Sequence, residues 1–121
     1  MAVTQITESI LNSTKAALGI VESYTAFDAQ LIMLINSSFS TLYQLGVGPD
    51  DGFEIEDKST TWDEYISNNK LLKFVIQYVH LDVRLMWDPP TSSYATDMLK
   101  KKLDELTWRI NVAVDPERSE R

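Results

Sequence analysis

The stretch from Asn69 to Trp87 constrains the fold of this chain more than any other part of it. Leu72, Val75, Ile76, Val79, Val83, Met86 and Trp87 recur at helical spacing, and Leu71, Phe74, Tyr78 and Leu85 widen the stripe until little of the circumference is polar. Spacings of three and four residues place side chains on one helix face, and a helix apolar on most sides has to be covered on most sides. Several other elements must therefore pack around this segment. Asp88-Pro89-Pro90 ends it, because a proline disfavours helical backbone at the residue before it and has no amide to donate.

The remaining segments supply the cover. Residues 7–18 read as a helix with Ile10, Leu11, Ala17 and Leu18 on one face, started by Thr7 or Ser9 and stopped by Gly19 in the left-handed C-terminal position. A short connector spans residues 20–25. Residues 27–45 carry Leu31, Ile32, Ile35, Phe39, Leu42 and Tyr43 at helical spacing, and Gly46 with Gly48-Pro49 prevents continuation. Asn36-Ser37-Ser38 lowers helix propensity in mid-segment, so these side chains should face solvent or a neighbour. Thr61-Trp62-Asp63-Glu64 fits a capping box opening a short helix through Tyr65 and Ile66. Ser92 or Ser93 can cap a last helix over residues 94–111, whose seam is Leu99, Leu103, Leu106 and Ile110, with Lys100, Lys101, Lys102, Asp104 and Glu105 mostly on the other side. The expected fold is all-α: one domain over residues 1–111, a small bundle of four to five helices, followed by an extended C-terminal tail over residues 112–121. A chain of 121 residues is long enough to bury a core without metal or disulfide staples.

Charge is concentrated in one place. The net charge is −7, and Asp50, Asp51, Glu54, Glu56, Asp57, Asp63 and Glu64 against Lys58 alone account for −6 of it. Phe53-Glu54-Ile55-Glu56 alternates apolar and acidic residues, which allows a short strand within this acidic loop. Tight nucleic-acid binding depends on a surplus of Lys and Arg against phosphate, which this chain lacks. Lys100-Lys101-Lys102 is the only basic run, and with acids close behind it reads as a solvated face.

No chemistry-bearing constellation emerges, and no cofactor or metal site is expected. The absence of cysteine excludes thiolate catalysis and thiolate metal sites. Asp50-Asp51-Gly52 fails the EF-hand spacing and has no glutamate at the bidentate position. His80, the only histidine, has no nucleophile or second ligand one turn away and reads as a structural or interface residue. Gly46-Val47-Gly48-Pro49 lacks the phosphate-loop spacing and loses an amide donor at Pro49. No apolar run approaches the roughly 20 residues of a membrane span, and the first residues lack a basic, then apolar, leader, so a soluble cytoplasmic protein is expected.

Assembly is the better class. Trp62, Trp87, Tyr94 and Trp108 sit at or near helix ends, where they either seal the bundle or anchor a partner. Ile110, Val112 and Val114 form an apolar segment suited to docking on another chain, by strand addition or insertion into a groove. These features fit a structural assembly protein, or alternatively a small helical protein-binding or regulatory module with no catalytic activity.

Several strings bear on the choice between them. Tyr43-Gln44-Leu45-Gly46-Val47-Gly48-Pro49, Gly52-Phe53 with Ile55, Thr61-Trp62, Val83-Arg84-Leu85 running into Asp88-Pro89-Pro90, and Glu105-Leu106-Thr107-Trp108-Arg109-Ile110-Asn111-Val112 occur in this order along most of the chain. In these the chain resembles the head-to-tail connector (adaptor) proteins of long-tailed double-stranded DNA bacteriophages. The resemblance implies a virion protein without enzymatic activity, assembled in the bacterial cytoplasm and located at the capsid vertex or neck. It further implies a homo-oligomeric ring, dodecameric in the family, that docks on the portal protein, extends the DNA channel and receives the stopper or head-closure protein. DNA would pass through without sequence-specific binding. Carried over by position, Ile110, Val112, Val114 and Arg118 are candidates for portal contact. Asp50, Asp51, Phe53, Glu54, Ile55 and Glu56 are candidates for subunit or stopper contacts or for lining the channel.

Overall fold

The computed structural model describes residues 6–67 and 69–114, and within them the chain forms five helices: α1 (Ile10–Ala17), α2 (Asp28–Gln44), α3 (Trp62–Tyr65), α4 (Asn69–Trp87) and α5 (Ser93–Val114). The most apolar segment is α4, and it is the hub, packing against each of the other four helices. Leu71, Leu72, Val75, Ile76, Tyr78, Val79 and Val83 of α4 are buried. They meet Leu31, Ile35, Phe39 and Leu42 of α2, Ile10 and Leu11 of α1, Trp62 and Tyr65 of α3, and Leu106 and Ile110 of α5 in one core. The fold is the expected all-α bundle.

Helix ends are set by local chemistry. Ser9 caps α1, its hydroxyl oxygen accepting the Asn12 amide at 3.1 Å. Both α1 and α2 close in the same way: Gly19 and Gly46 take left-handed backbone, with φ of +78° and +90°. The following amides reach back five residues, from Ile20 to the Lys15 carbonyl and from Val47 to the Leu42 carbonyl, each at 2.9 Å. Those bonds satisfy carbonyls that the helix end would otherwise leave unpaired, and Val47 is buried together with Leu42. At α3 the Glu64 carboxylate accepts the Thr61 amide at 2.7 Å, the glutamate half of the capping box.

The short α3 is held to the N-terminal segment as well as to the core. The amides of Ile10 and Asp63 donate to the carbonyls of Thr60 and Ile6, both at 2.9 Å, around an isolated antiparallel bridge between Ser9 and Thr61. No strand forms among the described residues. Phe53–Glu56 in particular is irregular and has no partner strand, so the alternation there has another cause. The last helix also differs from expectation: it continues past Asn111, and Val112, Ala113 and Val114 are helical rather than extended. Ala113 and Val114 pack against the core, which gives the extra turn a reason to form. The rest of the expected tail, residues 115–121, lies outside the described residues.

Candidate assembly surfaces

The bundle has two chemically different ends, because α4 runs antiparallel to its long neighbours. At one end the start of α2 meets the finish of α4: the rings of Tyr24 and Phe27 pack edge-on at 5.5 Å, and those of Phe27 and Trp87 at 5.0 Å. At the other end, Gly46 after α2 lies beside Val114 at the finish of α5, with 3.8 Å between its would-be Cβ and the valine side chain. The acidic loop starts at this second end and runs back along α2, where Phe53 meets Phe39 and Ile55 meets Asn36.

Three anchors fix that loop. Asn36, the polar break in the middle of α2, accepts the Ile55 amide at 2.8 Å and donates to the Ile55 carbonyl at 3.0 Å. A side-chain amide thus does for Ile55 what a neighbouring strand would do. Phe53 packs on Phe39 at 5.3 Å and on Tyr65 at 4.7 Å between ring centres. The Tyr43 hydroxyl donates to the Asp50 carbonyl at 2.8 Å. With Ile55 buried and Phe53 half-buried, Glu54 and Glu56 are turned outward, and Asp50 and Asp51 are exposed. The loop is accordingly a rigid acidic surface. None of Asp50, Asp51, Glu54 and Glu56 forms an ion pair among the described residues. No group of three or more His, Cys, Asp or Glu among those residues could hold a metal ion.

The outer side of α5 is the second surface. Of its 22 residues only Leu106 and Ile110 are buried. Trp108 is 64 % exposed, Tyr94 74 % and Val112 36 %. Glu105 sits among them between Arg109, at 2.9 Å, and Lys102, at 3.6 Å, and the Arg109 hydrogen bond holds its carboxyl below the usual range. Toward the start of α5, a groove of about 830 Å³ opens between α5 and α4, with Leu81, Met98 and Leu99 in its wall and Arg84 and Lys102 at its margin.

The residues proposed from sequence divide accordingly. Asp50, Asp51, Glu54 and Glu56 are brought together on one exposed loop, while Phe53 and Ile55 are its inward anchors. Tyr94, Trp108 and Val112 are exposed, Trp87 and Val114 are half-buried, and Arg118 lies outside the described residues. Two candidates belong to the core. Trp62 is 0 % exposed, its indole N–H donating to Ser13 at 2.8 Å, and Ile110 is 0 % exposed against α4. Neither offers surface to a partner, since a ring or branched side chain completely enclosed by its own core has no face left.

Lys15 was missed entirely. It is 1 % exposed, pairs with Asp28 at 2.9 Å, and donates to the carbonyls of Glu22 and Tyr24 at 2.9 and 2.7 Å. This cation fastens the connector between α1 and α2 and so positions the Tyr24–Phe27 end. Its only signal was a lysine followed seven to thirteen residues later by polar groups, which nothing in a periodicity separates from a solvated charge. His80 is largely buried beside Trp62, with 5.8 Å between ring centres, and that burial pushes its pKa down to about 4, so it is neutral at physiological pH.

A family model described as phage connector protein matches residues 10–117. The chain belongs to the phage connector protein family. The match takes in all five helices, the acidic loop and the outer face of α5, so both surfaces lie inside the family's extent. The connector is therefore a structural component of a phage, and no helix among its described residues is long and apolar enough to cross a membrane. Neither a curated protein nor a solved structure matches the chain.

Proposed function

We propose that this connector is the subunit of a head-to-tail adaptor ring that docks on the portal vertex, extends the DNA channel and receives the stopper or tail-side component. Its membership of the phage connector family over residues 10–117 carries the reading. The form of α5 supports it. A helix of 22 residues that buries only Leu106 and Ile110, and keeps Tyr94, Trp108 and Val112 on solvent, has large apolar side chains in excess of what its own bundle uses. Aromatic side chains of this kind dominate the energetics of protein interfaces.

In this reading the finish of α5 and the residues after it face the portal, and Trp108 and Val112 are its principal contacts. The acidic loop, repeated around a ring, repels the phosphate backbone and lets DNA pass without adhering. Co-sedimentation with the portal protein of the same phage tests the assignment. Trp108→Ala combined with Val112→Thr should weaken portal binding by about tenfold or more, with circular dichroism confirming that the fold is kept, because Trp108 is 64 % exposed and Val112 36 %. Portal binding equal to that of the wild type rules out α5 as the docking helix. A chain ending at Val114 separately measures the share of residues 115–121, Arg118 included.

A further inference from the structure

The groove between α4 and α5 and the acidic loop answer each other's chemistry, yet one chain cannot bring them together. The groove has an apolar wall, formed by Leu81, Met98, Leu99 and the exposed Tyr94, and a cationic margin formed by Arg84 and Lys102. Arg84 forms no ion pair among the described residues, and Lys102 reaches only Glu105, at 3.6 Å. The tip of the acidic loop has the opposite make-up. Tyr43 is 49 % exposed and hydrogen-bonded to the Asp50 carbonyl, Pro49 is exposed beside it, and Asp50 and Asp51 are unpaired carboxylates. One surface is apolar and cationic, the other apolar and anionic.

Their separation decides how they can meet. The loop leaves the bundle beside Val114, whereas the α5 part of the groove centres near Lys100, so the two lie about 21 Å apart at 1.5 Å of rise per residue. The loop is pinned by Tyr43, Asn36 and the turn at Gly46, and it cannot fold back over that distance. A second copy has no such limit.

We infer that the tip of the acidic loop of one connector, Tyr43 with Asp50 and Asp51, docks in the α4–α5 groove of the next copy, its carboxylates on Arg84 and Lys102. This contact uses different surfaces on the two copies, so repetition propagates around a ring or along a chain of subunits and does not stop at a dimer. It rests on the adaptor reading and supplies that reading with a subunit interface. It also pairs Asp50 and Asp51 of each loop with the neighbour's cations, which leaves the exposed Glu54 and Glu56 to carry the negative field that DNA meets. Attraction between exposed charges weakens as salt shortens the screening length.

Sedimentation velocity on the full chain tests it by charge exchange. All four substituted positions are exposed, so folding should be retained, and circular dichroism checks this. The wild type should self-associate at low salt and dissociate at about 1 M salt, where the screening length falls to about 3 Å. Arg84→Glu with Lys102→Glu should weaken self-association by about tenfold or more, as should Asp50→Lys with Asp51→Lys. An equimolar mixture of the two variants should associate again, because each then offers the surface that the other lacks. A wild type that stays monomeric at low salt, variants that associate as the wild type does, or a mixture that stays dissociated would each overturn the contact. Portal binding read on the same samples separates the two proposals: loss of the contact with portal binding intact leaves the adaptor reading standing, whereas absence of portal binding in the wild type removes it.

Discussion

Asn36 binds both backbone groups of Ile55, one at 2.8 Å and the other at 3.0 Å, across 19 residues of sequence. A polar break in an otherwise apolar-striped helix thereby becomes the clamp that gives the acidic loop its shape. Removing it leaves a part-buried amide and carbonyl without partners, and each unsatisfied group costs roughly 1–3 kcal/mol. Asn36→Ala should therefore lower stability by about 2 kcal/mol in chemical denaturation and speed hydrogen exchange at the Ile55 amide. Asn36→Asp keeps the acceptor for that amide but sets a carboxylate against the Ile55 carbonyl, so it should rescue the exchange rate only in part.

Gly48 and Gly52 separate two kinds of glycine. Both have positive φ, +100° and +85°, but a Cβ at Gly48 would lie 2.8 Å from the Tyr65 ring whereas one at Gly52 meets nothing within 4 Å. Gly52→Ala should cost about 1 kcal/mol, for the left-handed backbone alone. Gly48→Ala adds displacement of a buried ring that stacks on Phe39 and Phe53, and should cost about 3 kcal/mol or more. Equal losses in thermal melts would show that Tyr65 yields freely.

Lys15 is an enclosed cation with an ion pair and two carbonyl acceptors. Lys15→Met keeps much of its volume but strands Asp28 and both carbonyls, and breaking a buried pair costs about 3–5 kcal/mol. Because Asp28 retains 26 % of its exposure, the lower end is expected. The loss should appear first as exchange and proteolysis within residues 20–25, since that connector is what the lysine holds.

His80 gives the fold a pH dependence of known sign. Burial pushes its pKa down to about 4, against about 6.5 in the unfolded chain, so between those values the unfolded state binds the extra proton. Stability from this group is complete above about pH 6.5, falls as the pH drops, and stops changing below about pH 4, where both states are protonated. From pH 7 to pH 5 the loss should be about 2 kcal/mol. His80→Gln should flatten the denaturation midpoints over that interval; an unchanged slope would assign the dependence elsewhere.

Much of this architecture was legible because it is written in local chemistry. The α4 stripe predicted a central helix, Gly19 and Gly46 predicted two helix ends, and of the two cap candidates, Thr7 and Ser9, the helix uses Ser9. What could not be read is what depends on partners far away in sequence. The Phe53–Glu56 alternation suggested a strand, but its pairing partner is a side chain of α2. Val112 and Val114 alternate on paper, yet helical backbone prevails because Ala113 and Val114 find the core. Trp62 and Ile110 were candidates for a partner's surface and became core, since a residue's enclosure depends on which helices cross it. Tyr94 and Val112 lie near the ends of α5 and Trp108 further in, and only the fold separates Trp108, on solvent, from Trp62, inside.

The mass of the complex formed with the portal protein of the same phage tests the central claim most directly. Mixed at increasing ratio and weighed by native mass spectrometry, connector and portal should form one saturable complex that carries many connector copies per portal ring. A portal whose mass does not change at any ratio would contradict the adaptor assignment.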